Sequence, residues 1–139
     1  MGNLQKEIEG YGSGAFRIAI ASQSETEALA VEESLKEQYP HLRILTVTGS
    51  SKADKEKQEI FMNINARLQD VNIFIYSPTL ESGVDIQVPI HSMYGICTDK
   101  GNSQRAFLQM IGRCRNVTNP VLYLWLNDLP INNCYNFWE

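Results

Sequence analysis

Two hydrophobic rhythms alternate along the 139-residue chain. Short apolar runs alternate with segments whose apolar positions recur every three or four residues. The run Arg17-Ile18-Ala19-Ile20-Ala21 predicts a buried strand. Ser24 then opens a helix, with Glu27 three residues on as a capping box. Ala28, Val31, Leu35 and Tyr39 follow at helical spacing, and Pro40 stops the helix. Leu42 to Val47 predicts a second strand, and a helix with charged first turns is expected from about Ser51 to Ile64. Asn72 to Tyr76 and Ile90 to Ile96 predict two more strands. Ser103 caps a helix that carries Phe107, Met110 and Ile111 inward, and Val121 to Leu126 is a last strand after Pro120.

Strands that alternate with helices and are apolar on both faces predict an α/β fold: a mostly parallel sheet covered on both sides. Ligands of such sheets sit beyond the carboxyl ends of the strands. The turns at Ser22, Thr48, Thr79 and Thr98 are expected at that edge. Small polar residues there suit phosphate contacts through hydroxyls and backbone N–H groups.

The first fourteen residues are polar and end in Gly10-Tyr11-Gly12-Ser13-Gly14-Ala15. This spacing matches the dinucleotide fingerprint GxGxxA. That fingerprint needs a strand before it and a helix after it, whereas here a strand comes after. Residues 1–15 therefore read as a flexible linker, 16–139 as one domain, and the linker suggests a chain cut from something longer.

Composition narrows the function classes. Hydrophobic residues make up 43%, enough for a core. No apolar run reaches the roughly 20 residues of a membrane helix, and no signal-peptide pattern opens the chain. Cys97, Cys114 and Cys134 form no CxxC pair, and His41 and His91 lie far from them in sequence. A zinc site or disulfide framework is not expected, and a reducing, intracellular compartment is. The net charge of −4 argues against strong freestanding DNA binding, which normally relies on basic residues. Half of a shared groove remains compatible with it.

The chemistry concentrates in two runs. Gln109-Met110-Ile111-Gly112-Arg113-Cys114-Arg115 places two arginines behind a glycine at the end of an amphipathic segment. Guanidinium groups fork two donors onto phosphate oxygens and can act as arginine fingers on a transferring phosphoryl group. The same arginines could simply complement a helix dipole. Upstream, Ile73-Phe74-Ile75-Tyr76 leads through Ser77-Pro78-Thr79-Leu80-Glu81-Ser82 to Gly83-Val84-Asp85-Ile86.

In this order the two runs resemble motifs V and VI of the second RecA-like domain of superfamily 2 helicases. Thr79 to Ile86 resembles T-x-x-x-G-x-D-[IV], and Gln109 to Arg115 resembles Q/H-R-x-G-R-x-G-R. Met110 stands where arginine is usual, and the last arginine comes one residue early. The resulting Q-x-x-G-R-x-R form is similar to the herpesvirus-type replication origin-binding helicases and related helicases of large DNA viruses. By motif order the resemblance runs from about Arg17 to Leu126.

The resemblance implies a RecA-like three-layer sandwich and half of an ATP site. Arg113 would contact the γ-phosphate, with Arg115 beside it. Gln109 would orient water or touch phosphate, or be a helix-surface glutamine. Gly83 would let the backbone turn, Asp85 would accept from the ribose or be an ordinary turn acid, and Gly112 would line the nucleotide. Ser22-Gln23-Ser24 resembles motif IV and Thr48-Gly49 the adjacent loop motif; with Thr79 they would grip a single DNA strand by its backbone. The chain contains no GxxxxGK[ST] and no Asp-Glu pair after a strand. ATP and Mg²⁺ would therefore be bound only together with a first RecA-like domain of the same polypeptide, and the isolated chain is expected to be inactive. A viral replication site or the nucleus is the implied location. Two alternatives stay open: a helicase-like module retained for protein interaction, and a Rossmann-type nucleotide-cofactor protein.

Other conspicuous residues read as structural. Tyr123, Leu124 and Trp125 are expected in the core rather than as a base-stacking platform. Lys52, Lys55 and Lys57 interleave with Asp54, Glu56 and Glu59, which predicts a solvated face. His41 and His91 have no evident triad partner. Phe137 and Trp138 either dock on a neighbour or simply end the chain.

Overall fold

The computed structural model describes residues 2–11, 16–22, 25–47, 55, 59–60, 62–76, 86–97, 111–112, 114, 116–118, 121–126 and 129–136. The chain runs through α1 (Gly2–Tyr11), β1 (Ile18–Ser22), α2 (Glu25–Gln38), β2 (Ile44–Val47) and α3 (Ile64–Arg67). A 3₁₀ turn (Leu68–Asp70), β3 (Ile73–Tyr76), β4 (Ser92–Cys97), β5 (Val121–Leu126) and β6 (Leu129–Asn136) complete it.

These strands form one sheet in the order β2-β3-β1-β4-β5-β6. The first five are parallel, and β6 runs antiparallel to β5. The α/β, mostly parallel architecture is thus the one the alternating pattern predicts. Strand alternation sends the two sides of each strand into separate cores. Ile18, Ile20, Ile73, Ile75, Tyr94 and Ile96 face one layer, where Ala28, Val31 and Leu35 of α2 pack on them. Ala19, Ala21, Val47, Phe74, Tyr76 and Met93 face the other, covered by Ile60, Ile64, Leu68, Ile86, Ile111 and Cys114.

Two elements differ from the sequence reading. The segment expected as a linker contains α1. Leu4 and Ile8 lie one turn apart, both buried against the sheet, with Tyr11 completing the stripe. Tyr11 also stacks on Phe16 at 4.9 Å, which joins the helix to the start of β1. The packed unit therefore begins before residue 16. The glycine run is preceded by a helix and followed by a strand, the reverse of a dinucleotide fingerprint. The second difference is β6, whose sequence LPINNCYN lacks strict alternation. It lies at the sheet edge, where Pro130 removes no required ladder bond.

Smaller shifts have local causes. Asn72 does not open β3; its side chain donates to Phe16 O and accepts from Arg43 N–H, clamping the starts of β1 and β3. Ile90 bridges to Val117 just ahead of β4. Of the helix expected from Ser51 to Ile64, Lys55, Glu59, Ile60 and Met62 are helical; a turn at Asn63 then restarts the chain as α3. The region expected as a helix after Ser103 is described only at Ile111 and Gly112, both helical.

Arg17 closes the amino-terminal end of the sheet. Its guanidinium donates to the carbonyls of Leu68 (2.7 Å), Pro89 (2.6 Å) and Gln69 (3.1 Å). Burial pulls its pKa below the usual arginine value. His91 Nδ1 accepts the Arg17 backbone N–H, and His91 N–H returns a bond to Arg17 O. His91 is thus a structural partner, as expected. His41 is exposed and meets Tyr39 edge-on.

Candidate functional site

The candidate site is built where the end of one motif run meets the other. Tyr76 closes β3 and turns its ring into the core, stacked on Phe74 at 4.9 Å. Its hydroxyl lies 3.8 Å from Cys114 Sγ. Ile86 and Cys114 form a parallel bridge, and Ile90 and Val117 form a second. Between these points Ile90 N–H donates to Asn116 O, Thr118 N–H donates to Ile90 O, and Asn116 Nδ2 donates to Gln87 O. Residues 86–90 are thereby sewn to 114–118, although some thirty positions of sequence separate them.

Two further contacts fix this ladder. Asn65 Oδ1 accepts from the N–H groups of Gln87 (2.6 Å) and Val88 (3.2 Å), so α3 holds the segment after Asp85. Cys114 N–H returns to Ile111 O at the end of the helical turn. Ile86, Ile111 and Cys114 are fully buried, which anchors both strands of the ladder in the core. Burial pushes the Cys114 thiol up to about 12, slightly countered by the Tyr76 hydroxyl. A thiol so protonated is a packing group and not a nucleophile.

In sequence Asp85 directly precedes Ile86, and Arg113 and Arg115 flank Cys114. The ladder therefore tethers the attachment points of one candidate acid and both candidate arginines together. Arg113, Arg115, Gln109, Asp85, Gly83, Thr79, Gln23, Thr48 and Gly49 themselves lie outside the described residues, as do Ser24 and Thr98.

Two expected site residues are described. Gly112 is helical and exposed, and a Cβ placed on it would meet nothing within 4 Å. Among the described residues, no close approach requires a glycine there. Ser22 ends β1 with 0% of its surface exposed. Its position in the inner sheet, paired with Ile96 of β4, is the reason.

Asn65, Asn116 and Cys114 were not singled out by sequence reasoning. Asn65 sits within a short helix, and Cys114 stands in the sequence as one of three cysteines that form no CxxC pair. Their roles depend on contacts across the fold, which local pattern does not carry. Of the expected solvated face, Lys55 and Glu59 are exposed. Tyr123 is half-buried and stacked on Tyr94 at 4.9 Å, whereas the side chains of Leu124 and Trp125 lie outside the described set. Among the described residues, no three His, Cys, Asp or Glu side chains converge as metal ligands, and no helix is long and apolar enough to cross a membrane.

Comparison with known proteins bears on the fold. Domain 2 of the DEAD-box helicase Mss116p, solved bound to an RNA duplex, superposes with a TM-score of 0.65 over 91% of this chain and 48% of that one, at 15% identity. The fold is that of a RecA-like helicase domain. An uncharacterised candidate helicase of Acanthamoeba polyphaga mimivirus is 27% identical over 88 residues, 61% of this chain. The match covers 8% of that viral protein's length. No family model matches the chain.

Proposed function

We propose that this chain is the second RecA-like domain of an ATP-dependent nucleic-acid helicase or translocase, of replication origin-binding type and acting on single-stranded DNA. The observation that carries the reading is the Ile86–Cys114 bridge, which joins the two motif-bearing segments beside the end of β3. Two guanidinium groups on either side of a buried anchor suit the charge of a triphosphate. ATP with Mg²⁺ supplies the phosphoryl group whose hydrolysis drives the cycle. In this reading Arg113 contacts the γ-phosphate, Arg115 assists it, and Gln109 orients water. Gly83 and Gly112 shape the nucleotide edge, and Asp85 accepts from the ribose. A first RecA-like domain supplies the P-loop and the metal-holding acid. Gln23, Thr48, Gly49 and Thr79 hold the strand by its backbone, with Ser22 supporting them from the core. A viral replication site, or the nucleus, is the matching location.

A second reading rests on Met110 and on the early second arginine. These departures from the common motif fit a helicase-like domain kept for protein interaction.

The test is Arg113→Ala in a protein that contains both RecA-like domains. A finger acts on the transition state, so ATP turnover should fall by about 10³-fold or more while ATP affinity changes little. Lysine should rescue poorly, because a point charge does not reproduce the planar fork. Unchanged turnover would reject the finger role, and a parent protein without any P-loop would favour the interaction module.

A further inference from the structure

On the α1 side of the sheet, near the amino-terminal ends of β4 and β5, lies a groove of about 440 Å³. This is within the range of small-ligand pockets, roughly 300–1,000 Å³. Its walls include Glu7 and Tyr11 of α1, Tyr94 of β4 and Tyr123 of β5. It lies on the opposite face of the sheet from Cys114, in the other core.

Glu7 is the unusual member. Its Oε1 accepts from Tyr94 O–H at 2.6 Å and its Oε2 from Tyr11 O–H at 2.9 Å. Both oxygens are held, yet among the described residues no cation lies within ion-pair distance of the carboxylate; the ion pair found is Lys36–Glu32. Lys6 also lines the groove but is exposed, and adjacent helix positions do not face each other. Two phenol donors stabilise the half-buried Glu7 carboxylate without neutralising its charge. The surrounding phenols feel its field: burial first, then Glu7, pushes the Tyr11 hydroxyl up to about 12, and Tyr94 is raised by the same two causes in the same order. Tyr11 and Tyr123 keep part of their surface open to the groove. A carboxylate with free lone pairs, set between tyrosine rings, has the chemistry of a cation site.

We propose that this groove binds a guanidinium group, with Glu7 as its counter-charge and the tyrosine rings as its walls. Guanidinium is preferred because it is planar, weakly hydrated, stacks on aromatic rings and donates in a fork to carboxylate oxygens. Thr118 belongs to both the groove and the ladder, but none of the residues proposed above for nucleotide or strand contact lines the groove, so the two readings can fail separately.

The experiment titrates the 139-residue chain with N-acetyl-arginine amide, following the tyrosine ring protons by NMR. Saturable shifts with a dissociation constant on the order of millimolar are expected, as for a single desolvated charge contact. Glu7→Gln keeps an acceptor for the phenols and removes the charge, and should weaken binding at least about tenfold. Tyr123→Leu should weaken it a few-fold while leaving Glu7 in place, and serves if Glu7→Gln fails to fold. Equal binding of free arginine and the capped amide assigns the site to a protein side chain, whereas binding of free arginine alone assigns it to a small metabolite. The neutral isostere N-acetyl-citrulline amide binding equally, AMP binding in preference, or no saturable shift with either arginine probe would overturn the proposal.

Discussion

The two ends of the sheet are held by different means. At the amino-terminal end, Arg17, Asn72 and His91 bond to backbone groups of neighbouring segments, and α1 closes over Phe16. Each of these groups finds its partners within the domain. At the carboxyl end of β3, the Ile86–Cys114 bridge buries apolar anchors but leaves Gly112 exposed. One end serves stability, and the other presents what the proposed cycle would use. Substitutions at the first should therefore change folding, and those at the second should change activity with little effect on folding.

The largest effect on folding is expected at Leu4, which is fully buried in the α1 stripe. Leu4→Ala should destabilise the domain by about 3 kcal/mol, since such core truncations cost roughly 2–5 kcal/mol. Urea unfolding reads this directly. A loss below about 0.5 kcal/mol, the usual size of a surface substitution, would return residues 2–11 to the status of a loosely attached segment.

Arg17→Ala comes next. It removes three charge-assisted bonds to carbonyls, two of them at exposed positions. A loss of about 2 kcal/mol is expected, below a simple sum because water can replace the exposed bonds. ATP turnover of the parent protein, measured at a temperature where the variant is folded, should be unchanged. A turnover defect without a stability defect would erase the distinction between the two ends.

Gly112→Ala sharpens the comparison from the other side. Glycine within a helix costs up to about 1 kcal/mol relative to alanine, and a Cβ here meets no neighbour. The isolated domain should be unchanged or slightly more stable. In the two-domain protein the same Cβ should raise the KM for ATP if nucleotide packs against this edge. No change in either measurement would remove Gly112 from the proposed site.

The smallest effect is at high pH. Tyr11 and Cys114 have folded-state pKa values of about 12, above their ordinary values of 10 and 9. A raised value means that folding favours the protonated form. Their contribution is complete below pH 9 and is lost as pH rises from 9 towards 12. Stability should therefore fall across that window, and Tyr11→Phe should make the fall shallower. Cys114 should react with thiol reagents at pH 8 only at the rate of unfolding. Fast labelling of Cys114 in the folded protein would contradict its burial.

Hydrophobic rhythm by itself was enough to place β1, α2, β2, β3, β4 and β5 within about two residues, and to infer a parallel sheet. Buried parallel strands are apolar on both faces and helices repeat every 3.6 residues, so both signals are local. Motif order was equally legible as a resemblance, because it needs only residue identity and spacing. Local pattern did not reveal α1, whose three apolar anchors are diluted by glycine and charge, or β6, which depends on β5 for its pairing. Nor did it reveal Asn65 and Asn116 as ladder clamps, or the burial of Ser22. Only the tertiary structure brings Ile86 against Cys114 and sets Glu7 between two phenols 4 and 87 positions away. Such contacts cross the sheet and its layers, and their energy depends on burial and partner geometry that no short window of sequence contains.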